Sequence, residues 1–400
     1  MPTTELKVPA GFRFAATTAG IKASGNPDLA LIEAPDGASA AAVFTKNLVV
    51  AAPLTVGRKH LASSNGNVRA VLVNAGNANC ATGKTGIAAC EKSCKELARQ
   101  VGAKPTEIFP SSTGVIGVPL PVEKLVNSIP SLLAARGDSS EHAMSFARAI
   151  MTTDTRPKIA SAEIKLKGES AKLLGIAKGA GMIHPNMATM LCYIVTDVAA
   201  TPKQLNRLLK TTADRTFNRI SIDGDTSTND TVCLLASDKS RLELSNSKVA
   251  ALFAAALNDV CASLATQIVE DGEGVKHVIE LRIEGAKSAR EAEAIARTIA
   301  HSPLVKTAWA GADPNWGRIL AAIGRSGVKL DPAQVDIFFG PIQVCRQGMA
   351  APFQESEAHA YLSQPSFTVR VSLNRGRRQV TFLTCDLTDE YVHINADYRT

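Results

Sequence analysis

Aromatic side chains are scarce in this 400-residue chain, at 4% of its composition. A surface that grips single-stranded nucleic acid by base stacking therefore has little to be built from. The formal charge of +7 comes from 44 basic and 37 acidic residues, but the basic ones are dispersed. Their densest group, NRGRRQV at 374–380, reads as a solvated turn between strands, and no nucleic-acid partner is expected. The eight cysteines contain no CxxC pair, and no histidine stands at a zinc-finger spacing from Cys90 and Cys94. Reduced thiols are expected, with no disulfide framework and no metal site. The opening MPTTELKVPAGFRF lacks the basic-then-apolar layout of a secretory signal, and no uninterrupted apolar run reaches a membrane-spanning length. The expectation is a cytoplasmic protein without a membrane partner.

What is present is ample core-forming material. The composition is 45% hydrophobic and 20% charged, and a chain this long exceeds what one core usually holds. LALIEA and AAVFT read as short strands broken by Gly, Pro and Asp, and VRAVLVNAG as a buried strand. Helical spacing follows in GKTGIAACEKSCKELARQVG and over about 121–150, then in stretches near 202–215 and 247–269. MLCYIVTD is an apolar strand. From about residue 278 the texture changes to HVIELRIEGA, a helix near 288–300, then VDIFFG, FTVRVSL and RQVTFLTCDL. That alternation predicts a smaller α+β domain at the end of the chain, with a boundary near 280.

Several chemical motifs fail on inspection. VLVNAGNANCATGKTG imitates a phosphate loop, yet Gly76 and Gly83 are too far apart for one. DGDTSTND at 223–230 imitates a calcium loop, but Leu234 stands where the closing carboxylate should be. It reads as a polar turn that can wall a site. The seven histidines include no i, i+4 pair, and G-x-S-x-G is absent. His184, before a proline, reads as a turn residue, and Cys192 as a buried inert thiol.

KGAGMIHPNMATML, at 178–191, is different. Glycines and a proline bend the chain just ahead of Thr189, either as an ordinary turn or to present that threonine for chemistry. A β-branched side chain has few χ1 states, so its hydroxyl can be aimed. Attack on the Ala188 carbonyl moves the acyl group from N to O, and hydrolysis then frees an N-terminal threonine. Its α-amine, with a reference pKa of about 7.7–8.0, can act as the base for its own hydroxyl. A neighbouring cation such as Lys178 favours the neutral amine. SSTGVIG at 111–117 can supply oxyanion donors, since Gly114 admits close backbone approach and Thr113 adds a hydroxyl.

With these residues in view, KGAGMIHPNMATML resembles the self-cleavage and nucleophile motif of the ornithine acetyltransferase family. AGIKASGNPDLALI, NAGNANCATG, SSTGVIG, MTTDT, FNRISIDGDTSTNDT, DGEG, AGADPNWGRI and INADYRT resemble that family in the same order across essentially the whole chain. The resemblance implies self-processing at Ala188-Thr189 into an α chain, 1–188, and a β chain, 189–400, assembled as α2β2. It implies an α/β (α+β) fold: a layered body of N-terminal-nucleophile type built from 1–188 and 189–280, and a C-terminal α+β domain, 281–400. The implied reaction is ping-pong, with Thr189 taking acetyl from N-acetyl-L-ornithine and passing it to L-glutamate. No bound cofactor or metal is implied, and bifunctional members also take acetyl-CoA as co-substrate. Thr113 and Gly114 would line the oxyanion hole. Thr155, Lys178, Thr189, Glu273, Asn395 and Thr400 would bind substrate, a carboxylate at Glu273 suiting ornithine's ammonium and Lys178 an α-carboxylate. An ornithine-only transferase, and an amidase or aminopeptidase of the N-terminal-nucleophile kind, remain as alternatives.

Overall fold

The computed structural model describes residues 6–184 and 190–397. The first part runs β1 (Arg13–Thr17), β2 (Leu29–Phe44), α1 (Ala52–Ser63), β3 (Asn67–Asn77), α2 (Gly83–Val101), β4 (Ile108–Val115), α3 (Val122–Ala134) and α4 (Ser140–Ala149). It continues through β5 (Lys158–Leu166), β6 (Glu169–Lys178), β7 (Leu191–Thr196), α5 (Pro202–Arg215), β8 (Ile220–Ser221), β9 (Thr231–Ala236) and α6 (Ser247–Glu270). The remainder is β10 (Val278–Ala286), α7 (Ala289–Ala300), α8 (Pro303–Ala310), α9 (Trp316–Gly324), β11 (Asp336–Phe339), β12 (Ile342–Arg346), β13 (Met349–Ala350), α10 (Glu355–Leu362), β14 (Ser366–Ser372), β15 (Arg378–Cys385) and α11 (Asp389–Asp397).

Among the described residues the first sheet has the order β4-β3-β2-β9-β7-β6-β5, with β1 on β2. LALIEA and AAVFT, read from sequence as two strands, are one 16-residue strand. Pro35, Asp36 and Gly37 are absorbed as an irregularity between Glu33 and Ala38, with Gly37 at φ +87, where a residue without Cβ is at no disadvantage. That break lets one sheet form two facing layers. Val71, Val73 and Phe109 on one side share a core with Tyr193, Val195 and Leu235 on the other, although β3 and β7 are not neighbours in the sheet. Strand periodicity then divides the residues of β7. Tyr193 and Val195 face the inter-layer core, whereas Cys192 and Ile194 face α5 and α6. A strand buried on both faces reads as a continuous apolar run. Beyond the other layer, Cys94, Leu97, Leu125 and Ile129 of α2 and α3 close the stack.

Local signals explain why the helices fall where they do. Thr201 accepts from Gln204 N and Gln204 reaches back, a capping box with Pro202 in the first turn. Leu205, Leu209 and Ala213 then recur on one buried face. By length and composition α6 could cross a membrane, although Asn258 and Asp259 interrupt its apolar run. Here its apolar face, from Val249 to Val269, is spent on the core beneath β5 and β6.

The second sheet has the order β13-β12-β11-β14-β10-β15-β8 and packs its core against α7, α8, α9 and α10. Its edge strand β8 comes from well before residue 280, Ile220 and Ser221 pairing with Leu383 and Thr384. Among the described residues the structure is therefore mixed α/β with two sheets, and β15 of the second sheet pairs with β8, which precedes β9.

Candidate active site

The end of β4 in one layer meets the end of β6 and the starts of β7 and β9 in the other. Together with the connections around 152, 223–230 and 273, and with α11, they enclose a cavity of about 280 Å3. The chain leaves the described structure beside this cavity at His184 and returns at Met190.

Lys178, the last residue of β6, reaches inward with its side chain 11% exposed. Its Nζ donates to Thr152 Oγ1 at 2.8 Å and Thr113 Oγ1 at 3.3 Å, with Asp154 at 3.9 Å. Burial lowers the Lys178 pKa and the Asp154 charge opposes that. Asp154 is itself wholly enclosed. It accepts from Lys158 Nζ at 2.6 Å, Gly179 N at 2.6 Å and Thr152 N at 2.9 Å. Lys158 also bonds Asp271 at 2.5 Å, and Asp271 accepts from the Thr155 hydroxyl and, at 3.1 Å, from its N–H. The result is a buried row of alternating charge from Asp271 through Lys158 and Asp154 to Lys178. Charges this deep persist only when paired and hydrogen-bonded.

The opposite wall is acidic. Glu273 is buried, accepts from Asn395 Nδ2 at 2.8 Å, and packs so tightly over Gly181 that a Cβ there would overlap its carboxylate. Asp223 accepts from Met182 N at 2.6 Å, Ile183 N at 2.9 Å and Tyr391 Oη at 3.3 Å. Burial pushes the Asp223 carboxyl up, against these hydrogen bonds. A cavity with one ammonium on one side and carboxylates on the other suits a small zwitterion.

Gly114 sits where β4 closes on β3. Its φ is +129, and a Cβ would overlap the carbonyl carbon of Gly76. Gly114→Ala should therefore destabilise the protein by about 1–3 kcal/mol. It should also move the adjoining Thr113 and cut activity, checked by thermal melting alongside turnover.

Of the residues proposed from sequence, Thr113, Gly114, Lys178, Glu273 and Asn395 line the one cavity. Thr155 does not. It is exposed, and through Asp271 and Lys158 it touches the row behind Lys178. Ala188, Thr189 and Thr400 lie outside the described residues. His184, read as a turn residue, is engaged with Arg297 and His301. The polar turn at 223–230 does wall the site, through Asp223, Asp225 and Thr228 among others. Sequence reasoning missed Thr152, Asp154, Lys158, Asp271 and Tyr391. Asp154 lay inside the quoted MTTDT, but nothing local shows that its partners are Lys158 and the far-off end of α6.

The ArgJ family model matches residues 13–400. The arginine biosynthesis bifunctional protein ArgJ of Methylococcus capsulatus is 46% identical over 396 residues, 98% of this chain and 96% of that one. Its counterpart in Nitratidesulfovibrio vulgaris is 44% identical over 393 residues, 98% of this chain and 99% of the relative. Among solved structures, ornithine acetyltransferase of Mycobacterium tuberculosis, complexed with ornithine, is 35% identical. It matches with a TM-score of 0.41 over 47% of this chain and 98% of that one.

Proposed function

This chain belongs to the ArgJ family, and from that premise we propose that it is a self-processing glutamate/ornithine acetyltransferase of arginine biosynthesis whose acyl carrier is Thr189. The observation that carries the reading is the convergence of Thr113, Gly114, Lys178, Glu273 and Asn395 on one cavity, at the place where the chain departs at His184 and re-enters at Met190. Thr189 directly precedes Met190, whose carbonyl is fixed by Thr231 N at 2.9 Å.

Cleavage between Ala188 and Thr189 would free the threonine amine to accept the proton of its own hydroxyl. The hydroxyl oxygen then attacks the acetyl carbonyl of N-acetyl-L-ornithine. Thr113 and the backbone at Gly114 stand to meet the oxyanion. Collapse expels ornithine's α-amine and leaves an acetyl ester, and the α-amine of L-glutamate attacks that ester in the second half-reaction. Lys178 offers its ammonium to a substrate carboxylate, and Glu273 its carboxylate to ornithine's side-chain ammonium. A cavity of about 280 Å3 accepts an acetylated amino acid whole, whereas acetyl-CoA would present only its thioester end. In this reading the enzyme is cytoplasmic, holds no resident cofactor, and assembles as α2β2.

The test is acetylation of glutamate measured with each donor separately. Product from acetylornithine and from acetyl-CoA supports the bifunctional form, product from acetylornithine alone the ornithine-only form. Release of acetate without acetylglutamate would overturn transfer in favour of hydrolysis. Glu273→Gln keeps an acceptor for Asn395 but drops the charge. It should raise the KM for acetylornithine about tenfold or more, a charged hydrogen bond being at stake. An unchanged KM would remove Glu273 from the substrate.

A further inference from the structure

His184 is the last described residue before the proposed scissile segment, and both of its ring nitrogens are engaged. A guanidinium nitrogen of Arg297, on α7, lies 2.8 Å from Nε2, and Nε2 of His301 lies 3.1 Å from Nδ1. Guanidinium can only donate. His184 must therefore accept at Nε2, carry its proton on Nδ1 and donate to His301. The Arg297 contact thus requires a neutral His184 ring. The rings cross edge to face with centroids 4.1 Å apart. Arg297 is oriented in turn by the carbonyl of Asn218, to which it donates at 3.1 Å.

The backbone beside this cluster is held as well. Ile222 N donates to Ile183 O at 2.7 Å, and Thr226 Oγ1 donates to His184 O at 2.9 Å. Burial first, then His301 and Arg297, hold His184 down at about 3; burial, then Arg297, Lys306 and Arg325, hold His301 at about 4. The charges facing the pair are Arg297 of α7, Lys306 of α8 and Arg325 beyond α9, and Glu293 of α7 acts on Arg297. Neutral histidines throughout the ordinary pH range follow from that surround.

We propose that Arg297 and His301 are positioning residues for self-cleavage, gripping His184 so that the chain enters residues 185–189 from a fixed point. The inference rests on the self-processing reading and adds to it. Attack of the Thr189 hydroxyl on the Ala188 carbonyl is an intramolecular step whose rate depends on how closely the two groups are held. Met190 anchors the far end of the segment, through its carbonyl and the start of β7. The histidine pair anchors the near end. After cleavage the same contacts join the two products, since His184 belongs to 1–188 and its partners to 189–400.

The test is a pulse-chase of the full-length chain made in a cell-free system, with the two fragments followed on denaturing gels. His301→Leu and Arg297→Met, which leave a ring nitrogen of His184 without its partner, should slow fragment appearance about tenfold or more. His301→Gln and Arg297→Lys each preserve one partner for His184 and should stay within about threefold of the parent. Each variant is also melted in a Thr189→Ala background, where cleavage cannot mask folding. Cooperative melting there supports positioning, and loss of folding in the Leu and Met forms overturns it in favour of a merely structural role. Parent-like rates in all four variants, or Gln and Lys forms as slow as Leu and Met, also overturn it while self-cleavage stands. A parent chain that never splits overturns the reading underneath.

Discussion

Thr189→Ala should yield a single full-length chain with no acetyl transfer. In the proposed mechanism the hydroxyl is required twice, once to attack the Ala188 carbonyl and again to carry acetyl. The α-amine that serves as its base exists only if the first attack succeeds. Deleting a covalent nucleophile removes a whole reaction path, so the loss should be on the order of 10^4-fold or more. Thr189→Ser is the informative companion. It keeps the oxygen and loses the β-methyl that restricts χ1, so partial splitting and reduced turnover are expected. Denaturing gels and intact-mass measurement report the first step, and acetylglutamate formation the second. A Thr189→Ala protein that is split and active would end the nucleophile assignment.

The contrast between what could and could not be read in the sequence follows the range of the interactions. Helix α5 was legible because its start signals and its periodicity are local: the Thr201–Gln204 box, Pro202 and the Leu205, Leu209, Ala213 stripe. The two halves of β2 were legible as strands but not as one, because Pro35-Asp36-Gly37 is a turn signal that the sheet overrides with a bulge. Helices α8 and α9, around AGADPNWGRI, span only 8 and 9 residues, too few turns for a pattern to repeat. Within the site, Thr113, Gly114, Lys178, Glu273 and Asn395 were found because each sits in a motif with family resemblance. Asp271 opens the same DGEG motif and was passed over. Its role exists only because α6 ends against Lys158, a contact across 113 residues of sequence.

Asp154→Asn should be the most destabilising single change at the site. The carboxylate is buried between Lys158 and Lys178, and Asn keeps its shape while leaving two ammonium groups facing an uncharged amide. Removing one member of a buried pair typically costs about 3–5 kcal/mol. Lys158 keeps Asp271, so the heavier consequence falls on Lys178, whose neutral form becomes still more favoured and whose proposed hold on a substrate carboxylate weakens. Acetyl transfer should therefore fall with a raised KM, beyond what lost stability explains. The pH dependence gives an independent check. Burial alone would raise the Asp154 carboxyl, but the charges of Lys178 and Lys158 prevail and hold it at about 2, below the usual aspartate value of about 3.9. A depressed folded-state pKa adds stability that is fully present above the unfolded value and lost as pH falls toward the folded one. Urea melts of the parent and Asp154→Asn forms should thus differ most at pH 5–7, and the gap should narrow between about pH 4 and 2. A gap that is constant down to pH 2 would mean that the aspartate acts there through shape and hydrogen bonds, not through its charge.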